Sequence, residues 1–252
     1  SELAELRSKA ATMLVGRDPI RATKVLEERL SAAKSLVEKQ GALASLASIG
    51  SSQADAIVES WAERLERGDV PAALQLDVIE AASSRGFKES VAVFDSKRSQ
   101  GDPLAAFMEC LEGGDANLGE RVTSTHLGAQ CIRCHRFSSA PGSKIGPNLK
   151  DIGQKEGDYL LRALVNPGAD IAEGFGVVTV SLKDGSSVSG TVGSEKADTL
   201  EILGLDGSAK VLEKSAIASR TEAISTMPPL AYVLSKRELR DVVAYLKTLK
   251  GN

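Results

Sequence analysis

The run Cys131-Ile132-Arg133-Cys134-His135 constrains this chain more than any other stretch. Two thiols three positions apart sit on a single helical turn, and a histidine follows them directly. The spacing reads as the attachment site of a c-type haem. Cys131 and Cys134 are then the thioether links to the two vinyl groups of one porphyrin, and His135 is the proximal iron ligand. The nominal zinc set Cys131, Cys134, His126 and His135 fits less well, because zinc sites usually separate two ligand pairs by a dozen or more residues. A redox dithiol would need a preceding strand and a βαβ context, which this region lacks.

A haem iron needs a second axial ligand unless it is to stay open for a substrate. Beyond His135 the chain holds His126, Met13, Met108 and Met227 as candidates. Met227 lies in Ser225-Thr226-Met227-Pro228-Pro229, a proline-stiffened loop just ahead of a terminal helix, and is the expected distal ligand. His126 is nine residues before His135 and is kept as an alternative. A ligand that close in sequence would have to reach around to the other haem face, which favours a backbone or propionate hydrogen bond instead. Met13 and Met108 fall on helical faces and read as packing. Arg133 and Arg136 either offset propionate charge or point into solvent.

With 252 residues, of which 42% are hydrophobic, the chain is long enough for two domains. Its net charge of −3, with both signs interspersed, forms no general basic patch, so nucleic acid is a poor partner. No apolar run approaches the roughly 18 residues that span a bilayer. Of the three cysteines, Cys110 is left over beside Phe107 and Leu111 and reads as a buried small hydrophobe. Ser1 opens directly into the helical pattern of Leu3, Leu6 and Ala10, without a signal peptide. Covalent haem attachment takes place outside the cytoplasm, so the expectation is a mature form, or a piece, of a longer exported or periplasmic protein.

Taken in order, the chain reads as mainly α with a small β module. Residues 1–112 form an α-helical, HEAT-like repeat domain. Apolar residues recur at helical spacing in Ile57, Trp61 and Leu65, Pro71 marks a helix start, and Gly50, Gly68 and Gly86 fall near helix ends. A plain helical domain satisfies the same pattern. Residues 113–252 form the second domain. A short helix from Leu118 to Thr125 leads to the cysteine motif, and a loop with Gly142, Gly146, Pro147, Asn148 and Leu149 follows. A helix around Tyr159 to Leu164 stops before Pro167. The period then becomes alternating between about 175 and 220, with turns at Asp184-Gly185 and Asp206-Gly207. The last helix starts at Ser235 with a capping box to Glu238 and a staple of Leu234 on Leu239. Its stripe of Leu239, Val242, Val243, Leu246 and Leu249 must dock on something. His135 and Met227 are 92 positions apart, and the inserted β module takes up about half of that span.

Cys131 to His135, Gly146-Pro147-Asn148-Leu149, Met227-Pro228 and Glu238 to Leu246, in that order, resemble class I cytochromes c. The whole arrangement of helical repeats, haem motif, β insertion and final helix is most similar to the haem-binding C-terminal region of large exported planctomycete and verrucomicrobial proteins. In that family the region often follows a sugar-dehydrogenase-like propeller. The resemblance implies a cytochrome c fold carrying a β-rich insertion, with Cys131 and Cys134 bearing the thioethers, His135 proximal and Met227 distal. It also implies that the terminal helix crosses the helix before Cys131 near Gly119. Where such cytochromes often place an aromatic residue on that first helix, this chain has Val122 and Thr123.

The expected function is electron transfer from a redox partner protein or a fused dehydrogenase domain, with haem c as the cofactor and no catalytic residues of the chain's own. Two other readings remain open. One is a haem-based ligand sensor or peroxidase with an open distal position, and the other is an interaction scaffold on which haem is ancillary.

Overall fold

A computed structural model of the chain describes residues 2–138, 145–204 and 206–251. Among them the protein is mixed α and β, mostly helical, with one six-stranded antiparallel sheet. The chain divides into two compact units, Ser1–Asp115 and Ala116–Asn252.

The first unit holds α1 (Glu2–Val15), α2 (Pro19–Ala32), α3 (Leu36–Ser48), α4 (Ser52–Arg67), α5 (Ala72–Arg85) and α6 (Lys88–Ser96). Local chemistry sets the boundaries. The Asp18 carboxylate accepts from the Arg21 N–H at 3.0 Å with Pro19 opening α2, and the Ser51 hydroxyl accepts from the Ala54 N–H at 3.2 Å to open α4. Gly68 and Gly86 close α4 and α5 in the left-handed region, at φ 82° and 91°. Neighbouring helices pack on each other, α1 lies on α3 and α3 on α5, and α4 lies on α6, so the helices stack as successive hairpins. Leu26, Leu43, Leu46, Val58, Leu65, Leu74 and Val78 fill the space between them.

α-Helix gives out before the end of the expected helical domain at residue 112. Gly101 turns with a φ of 82°, Pro103 lacks an N–H, and the chain resumes only as a 3-10 turn at Ala105–Cys110. Cys110 is fully buried there, whereas Met13 and Met108 are 68% and 45% exposed. The two methionines are therefore not core packing. The face of α1 that is buried carries Ala4 and Ala11, and Met13 projects from the other side.

One charged group ties three helices together. The buried Glu38 carboxylate of α3 accepts from Arg7 of α1 at 2.7 and 3.0 Å and from Arg29 of α2 at 2.9 Å. The Arg7 hydrogen bond, against the opposing effect of burial, holds Glu38 below the usual carboxylate range. Because the folded value is depressed, this stabilisation is complete above the unfolded value of about 4.3 and fades as pH falls through the lower folded one. Glu38→Gln should therefore lower the urea midpoint at pH 7 and converge on the wild type in acid. A gap that persists in acid would assign the loss to packing alone.

The second unit contains α7 (Ala116–Thr125), α8 (Gly157–Val165) and α9 (Lys236–Thr248), and a sheet of β1 (Gly176–Leu182), β2 (Ser187–Glu195), β3 (Thr199–Leu203), β4 (Ala209–Glu213), β5 (Ile217–Arg220) and β6 (Ile224–Ser225). The expected capping box is present: the Ser235 hydroxyl accepts from the Glu238 N–H at 3.3 Å, and the Glu238 carboxylate accepts from the Ser235 N–H at 2.8 Å. Leu239, Val242, Val243 and Leu246 are buried along one side of α9. This helix docks on α7 with backbone-to-backbone approach at Gly119. A methyl group at Gly119 would collide with the Asp241 carbonyl and stand 2.8 Å from the Tyr245 Cβ.

The strands run β4-β3-β2-β1-β5, and β6 also pairs with β1. Val178 and Val180 of β1 face one side, where Leu200, Ile202 and Leu212 bury them, so the alternating pattern is realised as a half-buried sheet. Both predicted turns form, with Gly185 and Gly207 at φ 88° and 83°. In each, the Asp carboxylate accepts from the backbone N–H of the following serine at 2.9 Å. The sheet runs past residue 220, because β6 pairs Gly176 with Ser225 and Val177 with Ile224. A two-residue strand carries no periodic signal of its own, which hid it from sequence reading. Gly119→Val should cost about 2–3 kcal/mol, as overpacking against rigid backbone does. Thermal unfolding reads this, and an unchanged Tm would show that the crossing is not as tight as drawn.

Candidate functional site

The site is built from the end of α7 forward. His126 continues the helical pattern, its N–H donating to the Val122 carbonyl at 3.2 Å, and Gln130 then reverses the chain with a φ of 40°. Positive φ in a residue other than glycine is uncommon, and here it delivers the chain into a tight turn. Residues Cys131–Arg133 form a 3-10 turn, and the His135 N–H donates to the Cys131 carbonyl at 2.8 Å. One turn of backbone thus carries Cys131, Cys134 and His135, all half-buried. Burial pushes the Cys131 thiol up from its ordinary value.

The loop after the motif folds back onto the histidine. The Leu149 N–H donates to the Arg136 carbonyl at 2.7 Å, and the Asn148 side chain donates to the Ser138 carbonyl at 2.9 Å. This brings Gly146 against the imidazole so closely that a Cβ there would stand 2.9 Å from His135 Cε1 and from the Cys134 carbonyl oxygen. Only glycine fits. The next residue supplies the orienting bond: His135 Nδ1 lies 2.9 Å from the Pro147 carbonyl oxygen. A carbonyl can only accept, so Nδ1 carries the proton and Nε2 keeps its lone pair. That is the arrangement in which imidazole binds a metal. Gly142, expected in the same loop, lies outside the described residues.

All three motif side chains line one cavity of about 270 Å³, and Met227 lines it too. Its walls are largely apolar, with Leu160 and Leu164 from α8 and Val242 and Leu246 from α9. The size is near the lower end of ordinary ligand pockets. Met227 is set there by the sheet. Phe175, just before β1, and Ser225, closing β6, both line the cavity, and the Gly176–Ser225 pairing joins the two ends of the inserted module at its rim. The Met227 N–H donates to the Ser225 hydroxyl at 3.2 Å. On the far side of the proline pair a 3-10 turn at Leu230–Tyr232 leads to the cap of α9.

His126 lies off the cavity lining. Its Nδ1 accepts from the Gly128 and Ala129 N–H groups at 3.2 and 3.1 Å, and its Nε2 stands 3.7 Å from a Glu238 carboxylate oxygen. It therefore braces the turn that leads into Cys131 and does not join Cys131, Cys134 and His135. Among the described residues no three His, Cys, Asp or Glu side chains converge as metal ligands on their own. Arg136 folds its guanidinium over the motif turn, donating to the Ile132 carbonyl at 3.1 Å, while Arg133 is exposed.

Four contributors were not legible in advance as site residues. Phe137 pairs with Tyr245 of α9, with ring centroids 5.9 Å apart, so an aromatic contact to the terminal helix is supplied from just after His135. Gly153 receives the end of α9, its N–H donating to the Leu249 carbonyl at 2.8 Å. Tyr159 and Asp170 place a hydroxyl and a carboxylate on an otherwise apolar wall. The helical spacing of Tyr159 with Leu160 and Ala163 was the one available hint. No protein-family model and no curated protein match the chain.

Chemically, the arrangement offers two thiols for covalent attachment, an imidazole nitrogen with a free lone pair, and a thioether, all on one apolar cavity. Gly146→Ala should push the His135 ring off the Pro147 carbonyl. An exchange-protected Nδ1–H resonance seen by NMR in the wild type should then be lost, and its survival would mean that the loop yields instead of the ring.

Proposed function

We propose that residues 116–252 hold a covalently attached c-type haem and act as an electron carrier, in a cytochrome c fold of the class I kind with an inserted β sheet. The observation that carries this reading is the single apolar cavity lined by Cys131, Cys134, His135 and Met227, with the His135 lone pair freed by the Pro147 carbonyl. These residues fit the group. Cys131 and Cys134 would form the two thioether links, His135 would be the proximal ligand and Met227 the distal one.

When bound, haem supplies one-electron chemistry at iron, cycling between the ferric and ferrous states. The protein's own residues do the rest. Thioether ligation by Met227 favours the ferrous state, and the apolar walls disfavour the extra positive charge of the ferric one, so both raise the potential. Pro147, accepting from Nδ1, leaves Nε2 of His135 to bind and fixes the plane of the ring. Leu160 and Leu164 of α8 and Val242 and Leu246 of α9 present apolar surface that disfavours water, which suits electron transfer over substrate turnover at the metal.

The donor in this reading is a dehydrogenase, either a partner protein or a domain of the same polypeptide, in the periplasm or another exported setting where haem is attached covalently. The first unit, read as a HEAT-like stack, offers that partner an extended surface. The chain itself carries no catalytic residue in this account.

Expression alongside a haem-attachment system tests it. The product should keep its haem under denaturing conditions, give a c-type pyridine haemochrome, and show a thioether-to-iron absorption band when oxidised. Met227→Ala should abolish that band without releasing the haem. An unchanged band would remove Met227 from the iron, and ready carbon monoxide binding by the unmutated protein would favour a sensor or peroxidase. Failure to attach haem at all would overturn the proposal.

A further inference from the structure

Resting on the haem reading, the strongest further signal in the molecule is polar chemistry on the cavity wall that haem attachment and axial ligation do not use. Among the described residues lining the cavity, Asp170 is the single acidic side chain, and none is a lysine or arginine. The carboxylate follows Pro167-Gly168, where α8 has ended and the chain turns toward β1 along the rim. It is exposed to solvent on one side, which allows it to carry charge beside an apolar surface without a buried counter-ion.

Tyr159 lines the same cavity wall. Burial, together with the negative charge of Asp170, raises its hydroxyl above the ordinary range. Tyr159 is itself half-buried on α8, and the Lys155 ammonium lies 5.2 Å from its ring centroid, on the ring and not at the carboxylate. Ring and carboxylate thus share one wall of the cavity.

We infer that the Tyr159–Asp170 pair is the device that lowers the reduction potential of this site, against the raising effects of Met227 and the apolar walls. The sign follows from charge alone. Reduction of the bound iron takes up one electron from the reductant and removes one positive charge from the cavity. A carboxylate on the cavity wall attracts the oxidised form more than the reduced form, an effect that solvent at its exposed side screens in part. Asp170 is therefore a tuning residue, and Tyr159 a positioning residue that acts through it. The pair would let a site with a strongly oxidising ligand set be matched to a partner of lower potential.

Spectroelectrochemical titration of the full chain with haem attached tests this, with dithionite and ferricyanide as reductant and oxidant. Asp170→Asn should raise the ferrous-to-ferric ratio several-fold at a fixed ambient potential, read as a positive shift of the midpoint. Asp170→Glu, which keeps the charge, should restore most of the wild-type value. Tyr159→Phe should shift the midpoint in the same direction but by less, because the carboxylate remains and only its placement is lost. The oxidised-state thioether band is recorded for every variant. Its retention shows that the haem pocket is intact, so a wild-type midpoint in Asp170→Asn with the band present overturns the tuning role while leaving the haem assignment standing. A wild-type midpoint in Tyr159→Phe overturns the positioning role. Absence of haem from the unmutated protein would instead defeat the reading on which this inference rests.

Discussion

The hydrogen bond from His135 Nδ1 to the Pro147 carbonyl oxygen, 2.9 Å long, organises the second unit. It decides which imidazole nitrogen keeps a lone pair, and it exists only because Gly146 lets the loop come within contact of the ring. The bond also requires the loop to be pinned from both sides. The Arg136 and Asn148 contacts do this ahead of Leu149, and the 3-10 turn at Ile152–Gln154 does it behind, where Gly153 meets the end of α9. A chain of short-range constraints therefore runs from the cysteine turn, through one glycine and one proline, to the terminal helix. That helix in turn closes on α7 at Gly119, next to where the motif begins.

The sheet plays a comparable part on the Met227 side. An insertion of this length would ordinarily leave its two ends free to separate, at a cost in loop-closure entropy for whatever they must bring together. Here β6 pairs with the start of β1, so the chain leaves and re-enters the cavity rim at adjacent positions. The module is folded around its own small core of Val178, Val180, Leu200, Ile202 and Leu212, and its stability does not draw on the cavity. Residues 176–224, none of whose described members lines the cavity, are thus removed from the local problem. The remaining wall is short enough to be held by α8, α9 and two loops.

How far this could be read in advance depended on how local each determinant is. The Ser235–Glu238 cap, the glycine stops of α4 and α5 and the Asp-Gly turns are set by neighbours a few residues apart, and each appears where its sequence signature lies. Interactions that join distant segments were missed. β6 has only two residues, Phe137 meets Tyr245 across more than a hundred positions, and Met13 sits on a helix whose buried side is chosen by α3. His126 is an intermediate case. Its place beside the motif is plain in the sequence, but its use as a double acceptor for the Gly128 and Ala129 N–H groups depends on the backbone reversal at Gln130.

The amino-acid order alone determined the chemistry on offer: two thiols and an imidazole at C-x-x-C-H spacing, a methionine in a stiff loop, and helices and hairpins whose periods and caps are local properties. Tertiary structure decided which of those groups meet. It put Met227 on the same cavity as His135 and took His126 off its wall. It chose the His135 tautomer through a carbonyl twelve residues away, and brought Tyr159 and Asp170 to one cavity. The physical reason is the same in each case. Residue type and spacing fix what a side chain can donate or accept, but a lone pair's availability and a charge's neighbours depend on backbone contacts between segments that no short-range pattern encodes.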